Sequence, residues 1–340
     1  MNMSFKRIYP YSPAALLLLL TCLLTHLPVH RPVRRLLSCS LLAYLLFVTY
    51  SLSYAGVGKT GAQFLKITPS ARTAAMGNAF SAQADDVYAV YSNPAGLVQI
   101  EQPSLAATYM KYFADINYGY IGYASKVSER SVFGIGYTYL IVPEIERRGL
   151  DETKLGEFNA SDISLAVAYA RKNAIPGLLE NVSIGGAVKF INSQIDNAVA
   201  YAGALDIGAL YSPVENLNTA LVLQNIGAGI KFREVSDPLP LNLKLGLSYK
   251  ATKTLTVNGE IDEYLSDNKF YAGIGAEYWV VKQLALRGGY RVGYHKESLG
   301  QNVGISGGLG FRIWNLGLDY AFVPFGELGD THRISFGMQF

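Results

Sequence analysis

The sequence predicts an all-β membrane protein: a 14-stranded antiparallel barrel of the outer-membrane kind, with a small N-terminal plug. Three observations predict this fold. Apolar residues recur at every second position from about residue 103 onward. Only 16% of the residues are charged, whereas a soluble domain carries about a quarter. The chain also ends on a strand-like segment whose last residue is Phe340.

Residues 1–55 have the features of a cleaved leader. Two apolar runs, Ala14–Leu27 and Leu36–Tyr54, are separated by three arginines. The second run ends with small residues, Ser53 and Ala55, at the −3 and −1 positions of a cleavage site. We therefore predict cleavage after Ala55. The alternative is a membrane hairpin of the two runs, although both are marginal in length for spanning.

The charge and cysteine content of the mature chain excludes several functions. Both cysteines, Cys22 and Cys39, lie in the leader, together with five basic residues and no acidic ones. The remainder holds 24 basic against 26 acidic residues. We therefore expect no nucleic-acid partner, and the lack of thiols excludes disulfides, cysteine metal sites and thiol catalysis.

Residues 56–102 precede the alternating pattern and form the predicted plug. Small residues crowd the stretch Ser70–Leu97, so neighbouring backbone can approach closely. An acidic pair and a turn lie within it, the turn because Asn and Gly tolerate left-handed torsions and Pro fixes its φ. The residues singled out are Asp85, Asp86, Asn93, Pro94 and Gly96.

Two interpretations of these five residues remain open. They are a mobile gate, or they are the capping and turn residues that fix the plug against the wall. For Gly96 we expect a backbone torsion that a β-branched side chain would resist.

The order of these motifs resembles a known family. Ser70-Ala71-Arg72, Met76-Gly77, Asp85-Asp86 and Asn93-Pro94-Ala95-Gly96-Leu97 are spaced as in the PorV/PorQ family, within the FadL/TodX-like group of outer-membrane barrels. One departure is Asn78-Ala79-Phe80, where a second glycine and a smaller residue are expected.

The resemblance implies a location in the bacterial outer membrane and two alternative functions. The first is a FadL-type channel that passes hydrophobic small molecules across the membrane. The second is a PorV-like non-enzymatic barrel that serves type IX protein secretion or cargo attachment. The implied partners are outer-membrane lipid, the barrel-assembly machinery, and either a hydrophobic small molecule or secretion-system proteins.

Residues 103–340 form the predicted barrel. Connections after odd-numbered strands are mostly long, and those after even-numbered strands are mostly short. Outer-membrane barrels have long external loops and short periplasmic turns, so the two sets match the two sides of the membrane. We predict the longest external loop at Pro143–Asn159, which is rich in charge. The predicted strands are 103–111, 115–125, 131–141, 161–171, 181–192, 200–211, 217–227, 240–250, 254–262, 269–279, 283–293, 302–312, 314–323 and 331–340.

Charged residues of both signs fall on the face of the strands that is not apolar. A charge facing lipid near the midplane costs about 2–4 kcal/mol, so this face lines the lumen. The balance of signs favours a structural network over a charged permeation path. The cations are Lys189, Lys244, Arg287, Arg291 and Arg333, and the anions are Asp206, Glu260, Asp262, Glu277 and Asp319.

The last strand carries a signal for barrel assembly. Ile334, Phe336, Met338 and Phe340 share one face, and this alternation with a terminal Phe resembles the C-terminal signal of outer-membrane barrels. We assign the assembly signal to Phe336 and Phe340.

The sequence offers no constellation for catalysis, metal binding or a cofactor. The mature chain has two histidines, His295 and His332, which we place in external loops. The glycines of Gly304–Gly310 lie within a strand pattern. A phosphate loop would be followed by a helix, and this segment is not. We therefore predict a protein that is not an enzyme.

Overall fold

Fourteen antiparallel strands close into a barrel in the computed structural model, which describes residues 60–174, 181–294, 300 and 302–340. The wall strands are β1 (Ser104–Lys111), β2 (Asn117–Ser128), β3 (Ser131–Arg148), β4 (Lys154–Arg171), β5 (Val182–Ile195), β6 (Ala198–Val214), β7 (Leu217–Gly227), β10 (Asn242–Lys250), β11 (Leu255–Tyr264), β12 (Lys269–Val281), β13 (Leu284–Val292), β14 (Ile305–Ile313), β15 (Leu316–Pro324) and β16 (Asp330–Gln339). A separate short hairpin pairs β8 (Ile230–Lys231) with β9 (Ser236–Asp237).

The wall strands pair in chain order around the ring. Strand β7 pairs with β10, which leaves the β8–β9 hairpin outside the wall. Strand β1 pairs with β16 from Ser104 opposite Gln339 to Lys111 opposite His332. This pairing removes both free sheet edges and confirms the predicted fold class.

The two faces of the strands differ as the period of two predicts. On β4, Leu165 and Val167 are exposed on the outer face, whereas Ala166 and Ala168 are buried on the inner one. In a membrane barrel the outer apolar face contacts lipid and the inner face lines the lumen.

Strands β3 and β4 are longer than predicted, and the predicted loop at Pro143–Asn159 is wrong. The two strands stay paired to Arg148 and Lys154, so their connection covers only residues 149–153. The ladder shifts register after Val142, at Pro143, which has no N–H to donate. Charge in this segment therefore indicates a strand that projects into water rather than a loop.

The connections differ in length between the two ends of the barrel. At one end, residues 129–130, 215–216, 282–283 and 314–315 form links of two residues each, with 172–181 as the long exception. At the other end most links are longer, as at 112–116, 149–153, 228–241 and 325–329, with 196–197 as the short exception. Because outer-membrane barrels have short periplasmic turns and longer external loops, we assign the second end as external.

Residues 60–102, called the plug below, pass through the inside of the barrel. At the external end Gly61 N donates to Pro238 O over 3.0 Å, and at the periplasmic end Phe340 N donates to Pro103 O over 2.9 Å. Within the described ranges, none of the helices is long and apolar enough to cross a membrane. The plug contains 3₁₀ helices at Gln63–Lys66 and Pro94–Gln99, and helices α1 (Ala71–Ala75) and α2 (Ala89–Ser92).

A hydrophobic core lies between the plug and the wall. Phe80, Val87 and Leu97 of the plug belong to one buried cluster with Tyr120 and Val132 of the wall. This cluster fills the lumen beside β2 and β3.

Glycines on the inner wall bring the plug unusually close. A Cβ built on Gly289 would collide with the backbone of Met76 and Gly77, and one on Gly185 would lie 2.6 Å from Pro94 O. Contacts under 3 Å do not occur for real Cβ atoms. Glycine is therefore required at these positions for the plug to fit.

Candidate functional site: the plug and the lumenal charges

Arg72 of the plug connects the predicted acidic pair to the wall. Its Nη1 lies 2.6 Å from Asp85 Oδ1 and 3.2 Å from Asp86 Oδ2. On its other side, Nη2 lies 2.7 Å from Glu277 Oε1 and Nε donates to Glu277 Oε2 over 2.8 Å. The acidic pair therefore joins an ion-pair network as well as capping a turn, since Asp86 Oδ1 accepts from Tyr88 N.

The network continues around the wall from Glu277. Arg287 Nε lies 2.7 Å from Glu277 Oε2, and Arg287 Nη1 lies 2.8 Å from Asp319 Oδ1. Arg312 makes two bonds of 2.9 Å to the carboxylate of Asp319. Three arginines and four carboxylates thus link the plug to strands β12, β13, β14 and β15.

A second group of lumenal charges binds the plug backbone. Glu260 Oε2 accepts hydrogen bonds from Phe80 N at 3.0 Å and Ser81 N at 2.6 Å. Its other oxygen lies 2.8 Å from Lys244 Nζ, which also lies 3.1 Å from Asp262 Oδ1. Glu260 therefore couples the plug to β10 and β11.

Lys189 and Asp206 form a separate buried pair. Their Nζ and Oδ2 atoms lie 2.6 Å apart, and Asp206 also accepts a hydrogen bond from Asn225 N. Asn225 has a φ of 60° and lies where the β6–β7 ladder shifts register. This pair stabilises an irregular part of the wall, away from the Arg72 network.

The predicted turn Asn93–Gly96 is buried and anchors two parts of the plug. Asn93 Oδ1 accepts from Ala95 N at 3.0 Å, and its Nδ2 donates to Ser81 O at 2.8 Å. Pro94 begins the following 3₁₀ helix, where its missing N–H is harmless.

The torsion expected for Gly96 is wrong, because Gly96 does not have a positive φ. The requirement is steric: a Cβ there would lie 2.5 Å from Ala84 O and would collide with Ala84 Cβ. The glycine therefore permits close contact between two segments of the plug.

Asp86 has an unusual proton affinity. Partial removal from water raises the pKa of Asp86 to about 6, although 28% of its side chain stays exposed; Arg72 opposes this shift and Asp85 adds to it. The plug therefore contains a carboxyl group that titrates near neutral pH.

Arg72 and Arg312 were not among the predicted site residues. Arg72 stands in a stretch of alanines, and although Asp85 and Asp86 lie within the plug, its wall partner Glu277 is 205 residues away. The available signal was a lone cation within a segment expected to be buried, since buried charges need partners.

Two small spaces lie between the plug and the wall. One recess of about 20 Å³ opens at the external end, and a smaller cavity of about 10 Å³ lies beside Pro69, Tyr91 and Lys244. Spaces of this size hold one or two water molecules.

Histidines and acids do not cluster into a metal site within the described ranges. His332 lies in β16 rather than in a loop, and its Nδ1 lies 2.7 Å from Tyr320 Oη on the exposed face. The placement in a loop was wrong because β16 begins at Asp330. His295 lies outside the described residues, as does the leader.

Phe336 and Phe340 lie on the outer face of the barrel. Their side chains are 58% and 60% exposed, and Phe340 N closes the last rung with Pro103 O. Both rings are therefore available to lipid or to assembly factors.

This geometry defines a class of protein: an outer-membrane β-barrel whose lumen is filled by its own N-terminal segment. The toluene transporter TodX of Pseudomonas putida has a similar fold, with a TM-score of 0.57, 12% identity, and coverage of 80% of this chain and 99% of that one. A FadL homologue of Pseudomonas aeruginosa gives a TM-score of 0.55 at 13% identity, covering 81% and 99%. The toluene transporter TbuX of Ralstonia pickettii gives 0.55 at 14%, covering 79% and 97%. At these identities the similarity concerns the fold.

A family model described as type IX secretion system protein PorV matches residues 55–266. The chain therefore belongs to the PorV family, which confirms the resemblance drawn from Ser70–Leu97. A comparison with curated proteins found no match.

Proposed function

We propose that this chain is a non-enzymatic outer-membrane barrel that binds a protein of type IX secretion, either cargo or machinery, at its external end. The family match carries this proposal, because it covers the whole plug and the wall from β1 to β11. The plug then has a structural role in keeping the barrel closed and rigid.

The external surface supports a protein partner. The paired extension of β3 and β4 carries exposed charges on both strands, among them Glu146, Arg148 and Lys154. Interfaces are enriched in aromatic residues and arginine. Aromatic rings also lie together at the external end of the barrel. The ring centre of Phe325 is 5.2 Å from that of Phe113 and 6.0 Å from that of Tyr294.

Copurification from detergent-solubilised envelopes tests this proposal. The wild-type barrel should bring down a secretion-system or cargo protein that mass spectrometry identifies. A variant with residues 145–157 replaced by a two-residue turn should assemble but lose that partner. A partner retained by this variant, or no partner with the wild type, would contradict binding through the β3–β4 extension.

The second candidate is the passage of hydrophobic small molecules across the outer membrane. The specific observation that favours it is the fold shared with TodX and the FadL homologue. Passage would require the plug to move, since the described lumen is filled. Uptake of a radiolabelled apolar solute by cells with and without the protein tests this function directly.

A further inference from the structure

The recess at the external end of the lumen has an unbalanced charge. Its volume is about 20 Å³, and its lining includes two guanidinium groups, Arg291 and Arg333, but no carboxylate of the described residues. Asn78, Ser306 and Tyr294 supply further polar groups around it.

Arg333 differs from the other lumenal cations. Lys189, Lys244 and Arg287 each pair with a carboxylate within 3 Å. Arg333 is only 4% exposed, yet it pairs with no carboxylate of the described residues and instead donates a hydrogen bond of 2.5 Å from Nη1 to Thr68 O. Its Nε has no partner among the described residues. A buried cation without an anion is costly to maintain.

Arg291 is the second guanidinium that lines the recess. Its Nη2 lies 2.7 Å from Asp262 Oδ2, and its guanidinium lies 4.4 Å from the ring centre of Tyr271. These contacts fix the group, but Nε is left without a partner. Two arginines, one on β13 and one on β16, therefore line the same small space, and the lining contains no carboxylate of the described residues.

We propose that this recess binds one small monovalent anion of about the size of chloride. Guanidinium N–H groups form short, strong hydrogen bonds with anions, and the space is too small for a large organic acid. The anion neutralises Arg333 and holds it against Thr68, so it fastens the outer part of the plug to β16. This site is independent of the proposed secretion role.

Chloride dependence of stability tests the site in the full-length barrel in detergent. Sodium chloride replaces sodium gluconate at constant ionic strength while tryptophan fluorescence follows unfolding in denaturant. Above the dissociation constant, each tenfold rise in chloride should raise the folded-to-unfolded ratio about tenfold. Arg333→Met, which keeps an apolar stem of similar reach, should lose this dependence.

Arg312→Gln is the matched control, because it removes another lumenal arginine at a carboxylate-paired position. It should change stability while keeping the chloride dependence. Broadening of the ³⁵Cl resonance gives a second readout, expected with the wild type and absent with Arg333→Met. The proposal would be overturned if the wild type were equally stable in chloride and gluconate and did not broaden the ³⁵Cl resonance. Water would then fill the recess. Broadening that persists in Arg333→Met would also overturn it.

Discussion

At the scale of single residues, Glu277 is the centre of the lumenal network. It is 2% exposed and lies between Arg72 of the plug and Arg287 of the wall. Both arginines pair with it, although Arg72 also pairs with Asp85 and Asp86 and Arg287 also pairs with Asp319.

Replacing Glu277 by Gln should therefore destabilise the barrel strongly. Removing one partner of a buried pair typically costs about 3–5 kcal/mol when the remaining charge is left uncompensated. Because Arg72 and Arg287 keep other carboxylates, we expect a loss near the lower end of that range. Denaturant unfolding in detergent measures the change. Glu157→Gln is the control, since its pair with Lys154 is exposed and should contribute less than about 1 kcal/mol. Similar losses for both variants would contradict the assigned importance of burial.

Gly96 gives a steric prediction. Gly96→Val should disturb the plug and spare the wall, because the new side chain would meet Ala84. Hydrogen exchange should accelerate in residues 80–100 while strands β10 to β16 stay protected. Gly259→Ala, at a position with no atom within 4 Å of the added Cβ, should leave exchange unchanged.

At the scale of elements, the period of two predicted the strands well, and other signals explain the failures. The β3–β4 extension was missed because charged residues on both faces obscure the alternation outside the membrane. The pairing of Arg72 with Glu277 was missed because it joins residues 205 apart in sequence. Such contacts follow from how the plug lies inside the barrel, which local pattern does not encode.

The lipid-facing side of β10 can be tested by substitution. Leu245→Arg should destabilise by roughly 2–4 kcal/mol if it lies near the midplane, because it exposes a charge to lipid. Leu155→Arg is the control, since Leu155 is 64% exposed on the extension of β4 beyond the membrane. Refolding equilibria in lipid vesicles measure both. A larger loss of stability for Leu155→Arg than for Leu245→Arg would contradict the assignment of Leu245 to the hydrocarbon layer and of Leu155 to water.

The plug should respond to pH through Asp86. Its pKa in the folded plug, about 6, lies above the usual value of 3.8. Its contribution to stability is therefore complete below pH 3.8 and is lost as the pH rises through 6. Hydrogen exchange of α1 and α2 should slow between pH 7.5 and 5.5, after correction for intrinsic rates. Asp86→Asn should flatten that change, and an unaltered profile would contradict the assignment.

At the scale of the whole molecule, the plug enters from the external end and leaves at the periplasmic end. Thr60 Oγ donates to the carboxylate of Asp267 over 3.1 Å in the external connection 265–268. Cleavage after Ala55 remains a prediction from Ser53 and Ala55 at the −3 and −1 positions. Sequencing of the envelope-purified protein should begin at Gly56. A mature form that retains Cys22 or Cys39 would contradict cleavage.

Closure of the ring should depend on the last residue of the chain. Deletion of Phe340 removes the rung to Pro103 and the terminal part of the proposed assembly signal. We expect less barrel in the outer membrane and a species degraded in the periplasm. Heat-modifiable gel mobility measures folded barrel. Unchanged yield after deletion would show that the signal lies elsewhere.

The central claim is that the barrel acts with its plug closed, and a reversible cross-link tests it most directly. A Cβ built at Gly246 of β10 lies 3.2 Å from Ala82 Cβ of the plug and 2.9 Å from Ala82 N. The Cβ atoms of a disulfide are about 3.5–4.5 Å apart, so the bond requires the plug and β10 to separate by a few tenths of an ångström. The variant Ala82→Cys, Gly246→Cys, with Ser81→Ala to make room, should form this bond because the predicted mature chain has no other thiol. The oxidised barrel should still bind its secretion partner and support secretion as well as the reduced form. Loss of secretion on oxidation, restored by reduction, would show that the plug must move and would contradict the account.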